Sequence, residues 1–571
     1  MKVRTMLVAF AAAALVPIGA EAAATCQVPS GTYPTIQDAE NDPNCTTIEL
    51  AGVTFNEDVT IDRSLTIMGA GSGSSIIDGT GGMTVVTFSD AAPQTLSLTG
   101  VTITGGGGIG CGGFQTSQTT HDVTFTDVVI TGNDAGSNGG ACVVDGASLS
   151  MTGGAISMNE APTGNTGGLS VIGGQVTLTN VRIDGNQADG TGGVRVQDSP
   201  SFSMTGGSID GNEALTGGVG GIVLLNSDST FTDVSISSNR AADAIGGMFL
   251  QGGTGELLRV RVNGNEAGAD EGGMRLNGSM TIRDSAVTNN VAGMDAGGFR
   301  AVGVGNEVSA TNLTVSGNRA GGNGGGIVAG GATLSLTNVT VANNTADSDA
   351  GGDPGDGGGI STASATSLRN TILAGNVDAS PGAEAPDCSP EVTSLGHNIL
   401  GSNKGCSFAA TTGDQVNVDP LIGSLSDNGG PTSTHALLKG TTAINAADQA
   451  AAPTTDQRGL VRNPDIGAYE RVVCRKVAIN EIGTEGPDVI EGSPQADGVL
   501  ALGGNDTVST KGGKDAICGG GGRDKLKGGA GKDVLLGQGG RDKLIGGGGK
   551  KDVCKGGGGK DRARTCERGK A

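Results

Sequence analysis

The sequence predicts an all-β fold: a parallel β-solenoid with about three strands per coil, closed at its end and followed by a glycine-rich region of nine-residue period. Three observations predict it. An apolar-x-x-Asn marker returns ten times, at Asn133, Asn159, Asn186, Asn212, Asn239, Asn265, Asn290, Asn318, Asn344 and Asn376, at intervals of 25 to 32 residues. A second marker, Gly-Gly plus an apolar residue, keeps step with it at 167, 192, 220, 246, 272 and 297. Composition is the third. With 108 glycines, no tryptophan and two tyrosines in 571 residues, Val, Ile, Leu and Ala must fill many thin layers.

The chain opens on a targeting pattern. Lys2 and Arg4 precede an apolar run from Met6 to Val16, and "AEA" at 20–22 offers small residues for cleavage, so residues 1–24 are expected to be a signal peptide. No later stretch is apolar for long enough to span a bilayer, so no transmembrane segment is expected. The mature protein is expected to be monomeric and extracellular or at the cell surface. Ten cysteines in an exported chain favour disulfides. Cys26/Cys45 and Cys388/Cys406 are close pairs, Cys111/Cys142 is a further candidate, and the pairing of Cys474, Cys518, Cys554 and Cys566 stays open. Zinc is disfavoured because no CxxC-type pair is present.

Next, "TIQDAEND" (35–42) reads as a short amphipathic helix, suited to cover the exposed strand edges of the first coil. With "TIEL", "VTI" and "LTIMGAG" behind it, this opening resembles the entrance of pectate-lyase-like (pectin-lyase-like) proteins. That resemblance implies a right-handed parallel β-helix, expected over residues 25–387. Within each cycle, runs such as "ATLSLTNVTVANN" (332–344) alternate apolar and polar residues, the period of strands. Asn tolerates left-handed backbone and can hydrogen-bond in a ladder from coil to coil. At about 4.8 Å of rise per coil, nine steps from Asn133 to Asn376 span about 43 Å. If Asn186, Asn212 and Asn239 did not lie in file, this reading would fail.

Residues 388–474 are expected to close the solenoid. "SLGHNILG", "NGGPTSTHALL", "TDQRG" and "DIGAYE" (465–470) resemble the closing block of bacterial β-helix proteins grouped as choice-of-anchor Q. Thr441, Thr442 and Asn445 stand where that family has Ser, Pro and Asp. The two coil markers also resemble the repeats of polymorphic outer-membrane proteins, with Ile or Val in place of their Phe. No membrane β-barrel pattern follows.

In residues 475–571 an aspartate returns every nine residues, with one interval of ten: Asp488, Asp497, Asp506, Asp515, Asp524, Asp533, Asp542, Asp552 and Asp561. An apolar residue or cysteine follows each by two. Glycines let the backbone turn its carbonyls toward an ion, and aspartate adds a charged oxygen. The pattern resembles the nonapeptide of hemolysin-type (RTX) calcium-binding repeats, which implies a small β-roll of two nonapeptides per coil. Asp506, Asp524 and Asp542 would then line one edge, and Asp515 and Asp533 the other. The expected calcium ligands are Asp488, Asp506, Asp515, Asp524, Asp533, Asp542 and Asp561. The departure is the cation before most of them: Lys514, Arg523, Lys532, Arg541, Lys551 and Lys560. A cation there lowers the attraction for Ca2+. The competing reading is a metal-free roll whose Asp and Lys/Arg rows offset one another.

Charge bears on partners. The chain carries a net charge of -22, yet from Arg475 onward 18 basic residues outnumber 13 acidic ones. So acidic a body disfavours nucleic acid. A basic tail suits anionic surfaces, but alternation of Lys and Arg with Asp favours local neutralisation. The expected role is structural or adhesive, toward an extracellular ligand such as envelope polysaccharide or another cell surface. The alternative is a polysaccharide lyase or glycoside hydrolase acting on acidic polysaccharide. Its best candidate patch is Arg275 and Arg300, which follow their Gly-Gly motifs by one offset, with Asp270, Glu271 and Asp295 nearby. Mutual charge balance between coils is the stronger explanation of that patch, and the scarcity of Trp and Tyr argues against a sugar cleft, so no catalytic residue is assigned. His397 and His435 read as structural and His121 as isolated.

Overall fold

The computed structural model describes residues 24–568 apart from 91, 118–120, 349–355, 382–383, 476 and 485, so residues 1–23 of the expected signal segment lie outside it. One coil illustrates the fold. Val194–Gln197, Ser201–Thr205 and Ser208–Asp210 are its three main strands, and Glu213–Ala214 forms a two-residue fourth. Each pairs in parallel with its equivalent one coil on: Val194 with Ile222, Phe202 with Ser229, Ser208 with Ser235 and Glu213 with Arg240. The sequence predicted three strands per coil. The fourth is a short ladder running from Glu160–Ala161 to Val377–Asp378.

Alternation fills the interior. In Ser201–Thr205, Phe202 and Met204 point inward, fully buried, while the polar residues between them face out. Phe88, Phe114, Phe125, Phe202, Phe231 and Phe299 are the largest such side chains of the solenoid. Each contributes about 1.5–3 kcal/mol by leaving water. The alanine two residues after the ladder Asn, such as Ala188, Ala214 and Ala241, also points inward, where the short strands leave room for a single methyl.

The ten marker asparagines lie in file. Nine successive Nδ2–H···Oδ1 bonds of 2.8–2.9 Å join Asn133 through Asn376. Each Oδ1 also accepts the backbone N–H of the preceding ladder Asn, as in Asn186 to Asn212 at 3.0 Å. Each Nδ2 gives its other hydrogen to a carbonyl of the coil before, as in Asn212 to Ile183 at 2.9 Å. The row ends on Asp387 Oδ1, which accepts from Asn376 Nδ2 at 2.9 Å. The ladder residues themselves do not take the left-handed conformation. It falls one residue earlier, at Gly132, Met158, Gly185, Gly211, Ser238 and their equivalents. That turn aims the next side chain into the core.

The two sequence markers keep phase for a steric reason. The second glycine of each pair faces the ladder: a Cβ built on Gly221 would lie 3.1 Å from the Asn239 carboxamide, and one on Gly247 the same distance from Asn265. A side chain there would displace the ladder amide.

At the front, the helix Ile36–Glu40 covers the first coil, with Thr35 accepting the Asp38 N–H at 3.0 Å and Ile36 and Ala39 buried. All ten cysteines are paired: Cys26–Cys45, Cys111–Cys142 and Cys388–Cys406 as expected, then Cys474–Cys518 and Cys554–Cys566. Behind the last coil the chain folds back along one corner of the solenoid. That corner is a column of left-handed residues, Asp284, Asn312, Asn338 and Asn370. It grips the returning chain: Thr432 donates to the Asp284 carbonyl at 3.0 Å, Asn312 to that of Thr455 at 2.9 Å, Asn338 to that of Asp465 at 3.2 Å and Asn370 to that of Asp448 at 3.2 Å.

Beneath this contact lies a buried charged knot. The Arg458 guanidinium meets Asp456 at 2.8 Å with both side chains fully buried, and stacks 3.7 Å above the Tyr469 ring. Arg462 reaches Asn312 Oδ1 at 2.8 Å and Glu470 at 3.8 Å. Asp456 and Arg458 come from "TDQRG", Tyr469 and Glu470 from "DIGAYE", and Arg462 from the stretch between them. Both predicted structural histidines sit in the same region. His435 bonds the Gly423 carbonyl and Ser316 Oγ at 2.7 and 2.8 Å, and His397 the Ala446 carbonyl at 2.8 Å. His121 is not isolated: it is buried 4.4 Å from the Phe88 ring.

Candidate metal centre

Beyond Arg475 the chain winds as a flattened roll with 18 residues per coil. Thr507–Ser509, Lys525–Lys527, Lys543–Ile545 and Arg562–Arg564 stack on one side. Gly498–Leu500, Ala516–Cys518, Val534–Gly540 and Val553–Gly558 stack on the other. The apolar residue after each Asp enters the narrow core, giving a file of Val499, Ile517, Leu535 and Cys554 against one of Val508, Leu526 and Leu544. Lys551, the one inserted residue, is absorbed at a positive φ of 82° without breaking register.

The expected ligands fall in two rows. Asp488, Asp506, Asp524, Asp542 and Asp561 form one, each donating its backbone N–H to Oδ1 of the next at 2.9–3.0 Å. Asp515 and Asp533 lie in the other, which Asp497 and Asp552 complete through the same bond at 2.9–3.1 Å. The division into edges is as the nonapeptide pattern implied. Asp497 and Asp552 belong to the same nine-residue series but are not among the expected ligands. Nothing in their local sequence sets them apart, apart from the insertion at Lys551.

One oxygen of each carboxylate is therefore used by the backbone. The other is not. Oδ2 of Asp506, Asp515, Asp524, Asp533, Asp542 and Asp552 is buried with no hydrogen-bond partner, and none of these side chains is more than 2 % exposed. An unpaired buried carboxylate oxygen is costly. Burial pushes the carboxyls of Asp506, Asp515 and Asp542 up, and those of Asp524 and Asp533 up to about 6. Glycine keeps the space open: a Cβ on Gly519 would come within 2.5 Å of Asp524 Oδ2, and one on Gly528 within 2.7 Å of Asp533 Oδ2.

These residues fit a divalent cation. Aligned, desolvated, unpartnered anionic oxygens supply what Ca2+ takes up, and an ion there would remove the cost. Among the described residues no three Asp, Glu, His or Cys side chains converge on one point. A bound cation would thus draw most of its six to eight oxygens from backbone carbonyls and water. The residues that would hold it are the two aspartate rows. The neighbouring cations do not compete for them. Lys514, Arg523, Lys532, Arg541, Lys551 and Lys560 are all exposed, and among the described residues none pairs with a row carboxylate. The Asp and Lys/Arg rows of the metal-free reading form no ion pairs among the described residues, because strand alternation points the two charges in opposite directions.

The Arg275 patch is also as the repeat offset implied. Arg275 and Arg300 are direct partners on adjacent coils. Glu271 lies fully buried between them, at 3.5 and 3.2 Å, with Asp270 at 3.5 Å from Arg275 and Asp295 at 3.3 Å from Arg300. Burial pushes the Glu271 carboxyl up against the pull of both arginines, and its Oε2 has no hydrogen-bond partner.

Two family models match. One, described as a right handed beta helix region, covers residues 164–346, and one described as an RTX calcium-binding nonapeptide repeat covers 482–517 and 519–550. No curated protein matches the chain. Among solved structures, an alginate lyase from Paenibacillus sp. str. FPU-7 is similar at 16 % identity and TM-score 0.28 over 51 % of this chain and 93 % of its own. The catalytic domain of a GH87 alpha-1,3-glucanase in complex with tetrasaccharides matches at 11 % identity and TM-score 0.27 over 68 % of each chain. Pectate lyase Pel9A matches at 12 % and 0.26, over 79 % of this chain and 98 % of its own. The chain is an all-β, right-handed parallel β-solenoid that ends in RTX-type repeats.

Proposed function

We propose that the protein is an exported β-solenoid with a structural or adhesive role outside the cell, and that calcium held by its two aspartate rows orders the C-terminal roll. In this reading residues 25–387 are the capped helix, 388–474 its closing block and 475–571 the calcium roll. One observation carries it: six buried carboxylate oxygens without partners, in two files beneath glycine turns. Five disulfides support an oxidising, extracellular setting, and among the described residues no helix is long and apolar enough to cross a membrane. Titrating Ca2+ into the metal-stripped full-length protein, followed by calorimetry and thermal melting, tests it. Binding heat with a rise in melting temperature is expected. No heat and an unchanged melt would overturn the reading.

A second reading is favoured by Glu271, a buried carboxyl with a raised pKa held by ion pairs between two arginines: the polysaccharide lyase or hydrolase. Its test is release of unsaturated or reducing ends from acidic glycans. Turnover abolished by Glu271→Gln or Arg275→Ala would establish it over the adhesive role.

A further inference from the structure

The roll has two outer faces of opposite character. On one, Ala516 and Cys518 pack with Val534, Leu536, Cys474, Ile479 and Ile482, and the Cys474–Cys518 disulfide pins the contact. The other carries stacked cations. Lys525, Lys543 and Arg562 are register partners on consecutive coils, and Lys527, Ile545 and Arg564 are partners beside them. Arg523, Arg541 and Lys560 precede Asp524, Asp542 and Asp561 of one row and form a third column. All eight basic residues are exposed. Among the described residues of the roll the one ion pair, Lys511–Glu491 at 3.9 Å, involves none of them.

Sequence alternation had pointed to local neutralisation. Period two instead sends Asp524 and Asp542 into the interior and leaves their basic neighbours outside. The cations then repeat about every 4.8 Å along the axis and about 6.6 Å across it, and the outward carboxylate of these columns, Glu491, stands two coils before Lys527 and pairs with Lys511. Residues 475–571 contain no Phe, Tyr or Trp, so the face has no platform on which nucleobases could stack.

We infer that this face binds a linear acidic polysaccharide, laid along the columns so that successive anionic groups meet successive rungs. The inference rests on the adhesive reading above and names its ligand class. It also links the ligand to calcium. The buried aspartates lie directly beneath the basic columns and offset their field, so a divalent cation in the rows strengthens the outward positive potential.

The test uses full-length protein with chondroitin sulfate as probe, at fixed ionic strength, with and without Ca2+. Neutral dextran and single-stranded DNA are the comparisons. Wild-type protein should bind chondroitin sulfate, more tightly with calcium, and should bind DNA more weakly. The variant Lys525→Gln/Lys543→Gln/Arg562→Gln should weaken binding about tenfold. Lys514→Gln/Lys532→Gln/Lys551→Gln, the same charge change on the other edge, should weaken it less than about threefold. No binding by the wild type, equal losses from both triples, or DNA bound as tightly would overturn the inference. Calcium heats of the same variants separate the two claims. Calcium uptake without glycan binding sinks this inference alone, and glycan binding without calcium uptake sinks the calcium reading alone.

Discussion

At Asp533 the backbone N–H of Asp515 occupies Oδ1 and nothing occupies Oδ2. Replacing that oxygen by an amide removes a buried charge and a cation ligand together. Asp533→Asn should therefore melt no lower than wild type in EDTA, while its gain in melting temperature on adding Ca2+ shrinks; an undiminished gain in calorimetry would show that the row is not the site. Titration follows from the same burial. Because Asp524 and Asp533 are raised to about 6 from an ordinary 3.8, the folded roll binds more protons than the unfolded chain between those values. Stability without metal then falls as pH rises through about 4 to 6. Melting scans in EDTA should show the roll more stable at pH 4.5 than at pH 7, and Ca2+ should remove the difference at pH 7.

At the scale of the element, the ladder is a file of amides in which every donor and acceptor is used. Asn239 receives from Asn212 and gives to Asn265, both at 2.9 Å, and sits against Gly221. Asn239→Ala strands buried groups on both neighbours and should cost about 1–3 kcal/mol. Each coil touches only its neighbours, so the loss should be local. Hydrogen exchange is expected to quicken across residues 212–265 and not in the roll. The periodic Asn was legible in the sequence because a ladder demands one residue type at one interval. The two-residue fourth strand was not legible, since a pair of residues carries no period. The left-handed turn one residue before the ladder was not legible, because glycine, serine, methionine and asparagine share that position, which blurs the pattern.

For the whole molecule, the returning segment ties coils that are distant in sequence. Arg458 is its centre, ion-paired to Asp456, stacked on Tyr469 and donating to the Asn428 carbonyl at 3.0 Å. Arg458→Leu leaves Asp456 buried and unpaired, and should cost about 3–5 kcal/mol in denaturant unfolding. A loss below about 1 kcal/mol would mean the knot is not what closes the solenoid. The charges of this knot were visible only as pieces of two short motifs and of the stretch between them. Their meeting depends on a chain reversal that no local pattern announces.

The sequence by itself determined the coil, the period of the roll and the two rows of aspartates, because each is written as a repeat and stacking turns equal spacing into equal position. Two cysteine pairs, Cys26–Cys45 and Cys388–Cys406, were likewise readable from proximity. Only the tertiary structure decided which face each charge takes. Lys and Asp side by side look neutralised in one dimension, whereas a pleated strand separates them onto opposite sides. That separation leaves bare carboxylate oxygens within and bare cations without.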